Sequence, residues 1–144
     1  MTVPLPPLPP QSAITVRNEP DCLTVTWAGR RGFIRTFLGL PGRTEKLVLY
    51  LNRLVYSEWP HPRWVHFGVV MKVASRPVHP VVPDTFHSAG IPRDALGDVR
   101  LERSDEAVRL TVRYGVASRI EIGATLGDGD KAWLADVLRR WIAG

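Results

Sequence analysis

Cysteine and lysine are scarce in this chain, and no long apolar run is present. The single cysteine, Cys22, excludes an internal disulfide and cannot form a thiolate cluster for zinc. This usage fits a reducing compartment, so a cytoplasmic location is the expectation. The longest apolar runs, such as Leu47 to Leu51 and Val69 to Met71, are far short of the ~18 residues a membrane helix needs. The first residues show no basic-then-apolar leader. A soluble protein without a transmembrane segment is expected, and a position peripheral to a membrane stays open.

The sequence also lacks the motifs that carry common chemistry. It has no Gly-x-Ser-x-Gly elbow, no P-loop and no dinucleotide fingerprint. No two of the four histidines, His61, His66, His79 and His87, have the i, i+4 spacing of a helical zinc site. Gly127-Asp128-Gly129-Asp130 resembles a fragment of a calcium loop but lacks the later ligands, so helix capping explains it better. Neither a metal nor a cofactor is expected, and the chain does not read as an enzyme. An enzymatic alternative would need His66, His79 or His87 to converge in one pocket.

What is present suits a folded chain. Apolar residues make up 44% of 144 positions, which is ordinary for a protein with one core. Residues 1–12 form a Pro-rich tail, and residues 13–144 are expected to fold as one domain. The net charge of +5 is uneven. Arg17 to Arg76 contain ten Lys/Arg and four Asp/Glu, or +6; from Pro77 onward there are nine and ten, or −1. A basic first half suits acidic partners such as lipid headgroups, nucleic acid or an acidic protein face. Sixteen arginines against three lysines also fit a GC-rich coding sequence with no functional meaning.

The last third carries the clearest pattern. Trp133, Leu134, Val137, Leu138, Trp141 and Ile142 recur at helical spacing and make one apolar stripe, with Lys131, Asp136, Arg139 and Arg140 largely off it. The spacing predicts a helix over 130–143, with Asp128 or Asp130 capping its start. Period two governs the residues before it. Val99 and Leu101, then Val108, Leu110, Val112 and Tyr114, then Ile120 and Ile122 alternate with charged or polar residues. Half-buried antiparallel strands read this way.

Toward the N-terminus, the residues TVPLPPLPP (2–10) cannot form helix or an inner strand, because proline removes amide donors and fixes φ. An extended tail, disordered or laid on the surface, is expected. Ala13 to Asn18 and Cys22 to Ala28 predict a hairpin around Glu19-Pro20-Asp21, with Cys22 a small buried hydrophobe. Glu45 to Tyr56 fits either a helical stripe or two strands turning at Asn52-Arg53, and its β-branched and aromatic content favours strands. A turn is expected over Ser57 to Trp64, a strand over Val65 to Ala74, and a long Pro-rich loop or edge segment over Arg76 to Ile91.

These elements predict a mainly β fold with a C-terminal α-helix (α+β): an antiparallel, partly closed barrel or roll capped by helix 130–143. The strands around Val99–Leu101, Val108–Val112 and Ile120–Ile122, followed by WLADVLRRWI (133–142), resemble the pleckstrin-homology superfold, in particular small bacterial PH-like domains. The resemblance covers about the final third of the chain. It implies a non-catalytic binding module that takes lipid headgroups, peptides or other proteins, often through loops opposite the helix.

The residues that suit such a role lie in the basic half. Arg30, Arg31, Arg35 and Arg43 flank Phe33 and Phe37 within one short span. Cations around apolar tips match an anionic membrane surface or an acidic protein partner. The plainer reading is a strand bearing solvated arginines. A nucleic-acid-binding protein is the alternative, with the same arginines on phosphates and Trp59 and Trp64 as stacking surfaces.

Overall fold

Alternation of β-branched and apolar residues along the chain produces two antiparallel sheets and one helix in the computed structural model, which describes residues 3–29, 44–59 and 90–144. Sheet A contains β1 (Thr15–Asn18), β2 (Cys22–Ala28), β3 (Thr44–Tyr50), β4 (Arg53–Trp59) and β5 (Ile91–Pro92), in that spatial order. Sheet B contains β6 (Leu96–Arg103), β7 (Val108–Tyr114) and β8 (Ser118–Ile122). The helix, α1, spans Asp128–Ala143. Among the described residues the two sheets are not closed into a barrel. No helix among these residues is long and apolar enough to cross a membrane.

The period of two in β2, β3 and β4 places one apolar row directly across sheet A. Leu23 registers with Leu49, Leu49 with Leu54, and Leu54 with Ile91. All four are buried. Burying a leucine side chain contributes ~1.5–3 kcal/mol relative to leaving it exposed, so this row is a principal source of the sheet's stability. Val25, Leu47 and Tyr56 form the next row on the same face. In sheet B the matching rows are Val99–Val112–Ile120 and Leu101–Leu110–Ile122. One buried cluster joins these faces to Trp133, Leu134, Val137, Leu138 and Trp141 of α1. The two expected hairpins and the three C-terminal strands therefore form from the residues that predicted them, with the second turn at Leu51-Asn52, one residue before the expected Asn52-Arg53.

Several expectations change. Ser57 does not begin a turn. Lys46 pairs with Ser57, Glu45 with Glu58 and Thr44 with Trp59, so the ladder to β3 carries β4 three residues further than local turn chemistry implies. Neither Asp128 nor Asp130 caps the helix. Gly127 holds the N-cap position with no side-chain bond, because the Asp130 carboxylate is drawn away to the N-terminal segment. Both aspartates still sit in the first turn, where the helix dipole favours negative charge. Lys131 does not lie off the buried face. It is 5% exposed, and its Nζ donates to the Val108 carbonyl at 2.6 Å. The expected strand over Val65 to Ala74 and most of the expected loop over Arg76 to Ile91 lie outside the described residues. The end of that loop, Ile91–Pro92, forms the edge strand β5, a position where proline's missing amide leaves no ladder bond unmade.

Two glycines make turns that a side chain would disturb. Gly90 has φ +71°, and a Cβ there would stand 2.9 Å from both the Leu54 carbonyl and Val55 Cγ2. Gly123 has φ +66°, and a Cβ there would stand 2.7 Å from the Leu126 side chain. Gly90 leads into β5 against the β4 backbone, whereas Gly123 leaves β8 against the Leu126 side chain.

Candidate functional site

The end of sheet A nearest the basic segment is built on a buried carboxylate. Strand alternation puts Trp27 and Glu45 side by side on the inner face, and Tyr56 stands one row further along β4. Glu45 is only 5% exposed. One of its oxygens accepts a hydrogen bond from Trp27 Nε1, and the other accepts from the Tyr56 hydroxyl at 2.9 Å. The two rings stack with centroids 6.1 Å apart. A buried charge is costly unless it is hydrogen-bonded, and here two aromatic donors meet that need. Such an arrangement stiffens the strand ends.

Directly above this row the strands end together. Ala28 closes β2, Thr44 opens β3 and Trp59 closes β4, with Ala28 registered to Thr44 and Thr44 to Trp59. The Thr125 hydroxyl donates to the Ala28 carbonyl at 2.8 Å and ties this edge to the turn before α1. The chain enters residues 30–43 after Gly29 and returns at Thr44, and it enters residues 60–89 after Trp59. Both stretches thus depart from one edge of the sheet.

All six residues expected to contact an anion or partner, Arg30, Arg31, Arg35, Arg43, Phe33 and Phe37, lie outside the described residues. The same holds for Trp64 and for His61, His66, His79 and His87. Cys22 is free and buried, with Sγ 3.5 Å from Glu19 Oε2 and 3.9 Å from Thr24 Oγ1. Among the described residues no group of three or more His, Cys, Asp or Glu is placed to hold a metal ion.

The other charged side chains that reach buried backbone serve the scaffold. Arg93 sends Nη2 to the Ile142 carbonyl at 3.2 Å and lies over the Trp141 ring at 5.4 Å. Trp141 in turn donates to the Tyr50 carbonyl at 3.0 Å. Together they pin the end of α1 to the β3–β4 turn. Arg139 forks onto the Val99 carbonyl with Nε at 3.2 Å and Nη2 at 3.0 Å. That carbonyl stands where the β6–β7 register slips between Leu96 and Val99, as in a β-bulge. A shallow depression lies beside it, lined by Gly97, Asp98, Arg100, Arg139 and Ile142. Asp98 pairs with Arg100 at 2.9 Å on its exposed rim.

The N-terminal segment forms a second constellation, which sequence patterns did not reveal. Trp133 Nε1 donates to the Pro6 carbonyl at 3.0 Å. The Ser12 hydroxyl and Ala13 amide donate to Asp130 at 2.6 and 3.0 Å. Val3 is buried in the shared core. The tail is therefore laid on the body of the protein, along α1. Proline supplies carbonyl acceptors without competing amide donors, which suits an indole N–H. The only advance signal was a tryptophan on the helix and a proline run elsewhere in the chain.

No family model, curated protein or solved structure matches the chain.

Proposed function

We propose that this protein is a non-catalytic interaction module that presents the basic stretch 30–43 to an acidic partner, either an anionic membrane surface or an acidic protein face. The observation that carries this reading is the common departure edge, where Ala28, Thr44 and Trp59 end in register above the buried Glu45. A stiff sheet end from which the chain leaves into a segment bearing Arg30, Arg31, Arg35 and Arg43, with Phe33 and Phe37 among them in sequence, suits recognition of anionic groups by charge with apolar insertion. Two antiparallel sheets followed by a C-terminal helix packed on β6 and β7 also support a PH-like architecture as the framework of such a module.

The test is sedimentation with vesicles of neutral and of anionic lipid, run on the intact chain and on the Arg30→Ala/Arg31→Ala/Arg35→Ala/Arg43→Ala variant. Each arginine near an anionic surface contributes about 1 kcal/mol, so the variant should lose up to about a thousandfold in affinity for anionic vesicles. Binding that survives these substitutions unchanged would sink the proposal. Tight binding to single-stranded nucleic acid with a steep salt slope, and none to vesicles, would replace it with the nucleic-acid reading.

A further inference from the structure

The Pro-rich strap, residues 3–10, is joined to the rest of the protein by a strained hinge. Gln11 has φ of 58°, a left-handed conformation that crowds any residue bearing a Cβ. The Ser12 amide donates to the Pro9 carbonyl at 3.3 Å and closes this turn. On one side of the hinge, Ser12 and Ala13 hold the chain to Asp130. On the other side, Pro9 packs beside Gly129, Pro6 bonds Trp133 and Val3 enters the core. None of those strap contacts depends on which copy of the chain supplies the strap. A short hinge under strain favours exchange, because straightening it releases strain while the exchanged contacts are kept.

We infer that the strap is an exchangeable arm, and that two copies of this chain form a reciprocal dimer in which residues 3–10 of each seat on α1 of the other. The partner is thus a second copy, and the interface is isologous. Asp130 keeps residues 12 and 13 at home in both forms. Gln11 alone changes from the left-handed to an extended conformation.

Cross-linking tests this directly. A Cβ built on Gly129 lies 3.7 Å from Pro9 Cβ, within the range of about 3.5–4.5 Å that a disulfide requires. All variants carry Cys22→Ala to remove the native thiol. The double variant Pro9→Cys/Gly129→Cys should close its disulfide within one chain at low concentration. Pro9→Cys chains mixed at high concentration with differently tagged Gly129→Cys chains should form a disulfide-linked pair of unlike chains, well above the yield of like pairs. Adding Gln11→Gly, which relieves the closed hinge, should cut that yield by about tenfold. Gln11→Pro forbids the closed hinge and should shift the protein to a dimer by light scattering. Failure of the double variant to close would show that the strap does not seat on α1, which overturns the inference. Closure in the double variant with only random pairing between unlike single variants would overturn it too, as would a monomeric Gln11→Pro protein.

Discussion

Ser12 and Asp130 are 118 residues apart in the chain, and the serine hydroxyl donates to the aspartate carboxylate at 2.6 Å. The same carboxylate accepts from the Ala13 amide at 3.0 Å. Asp130 is 7% exposed, and both bonds to it are partly buried. Removing it with Asp130→Ala leaves the part-buried Ala13 amide and the Ser12 hydroxyl without their acceptor, and the expected loss is about 2 kcal/mol. Ser12→Ala removes one donor and should cost about 1 kcal/mol. Urea unfolding midpoints at constant slope check both values. Equal stability for Asp130→Ala and the unaltered protein would show that this clasp contributes nothing.

Glu45 gives a sharper contrast. Glu45→Ala strands the Trp27 indole N–H and takes one acceptor from the Tyr56 hydroxyl, and an unpaired buried group costs about 1–3 kcal/mol. The expected loss is about 2–4 kcal/mol. Glu45→Gln keeps one acceptor oxygen and should lose less than half of that. Tyr56→Phe should lose about 1 kcal/mol. Thermal unfolding ranks the three, and an order with Glu45→Gln worst would contradict the assignment of the carboxylate as an acceptor for two neutral donors.

At Gly90 the backbone itself sets the requirement. The residue combines φ +71° with a would-be Cβ 2.9 Å from the Leu54 carbonyl. Gly90→Ala should destabilise by about 1–3 kcal/mol, from left-handed strain and the close contact together. Gly115 also has φ +58°, but its Cβ would meet nothing within 4 Å. Gly115→Ala should therefore cost less than Gly90→Ala, and the reverse order by calorimetry would refute the steric account.

Lys131 separates charge from volume. Its ammonium is buried and donates to the Val108 carbonyl. Lys131→Met keeps the apolar stem and removes a desolvated charge. These effects oppose the lost hydrogen bond, so the expected change is under about 1.5 kcal/mol in either direction. Lys131→Ala also loses packing and should cost about 2 kcal/mol or more. Chemical denaturation that finds the methionine variant as destabilised as the alanine variant would mean the ammonium, which both lack, and not the stem, holds α1 to β7.

Local pattern accounts for most of the strands and the helix. Leu23, Val25 and Trp27 alternate because a strand exposes and buries successive residues, and the six apolar positions of α1 recur at 3.6 because a helix does. Ser57 escaped that logic. Its neighbours Pro60 and Pro62 signal a turn, yet pairing with β3 extends β4 through Trp59. The basic and apolar residues 30–43 were legible as a candidate site from composition. That both ends of the stretch leave from one sheet edge, beside the end of β4, was visible only from the register.

Periodicity and proline content by themselves determined the antiparallel strands, the apolar stripe of α1 and the extended character of the N-terminal segment, because each depends on residues within a few positions of one another. Tertiary structure alone decided that the described strands divide into two sheets, that Asp130 clasps Ser12 instead of capping its own helix, and that Glu45 and Lys131 are buried. A charged side chain carries no local sign of the partner that will satisfy it. Its burial is settled by groups brought beside it from other strands, 11 and 18 residues away for Glu45 and 23 for Lys131.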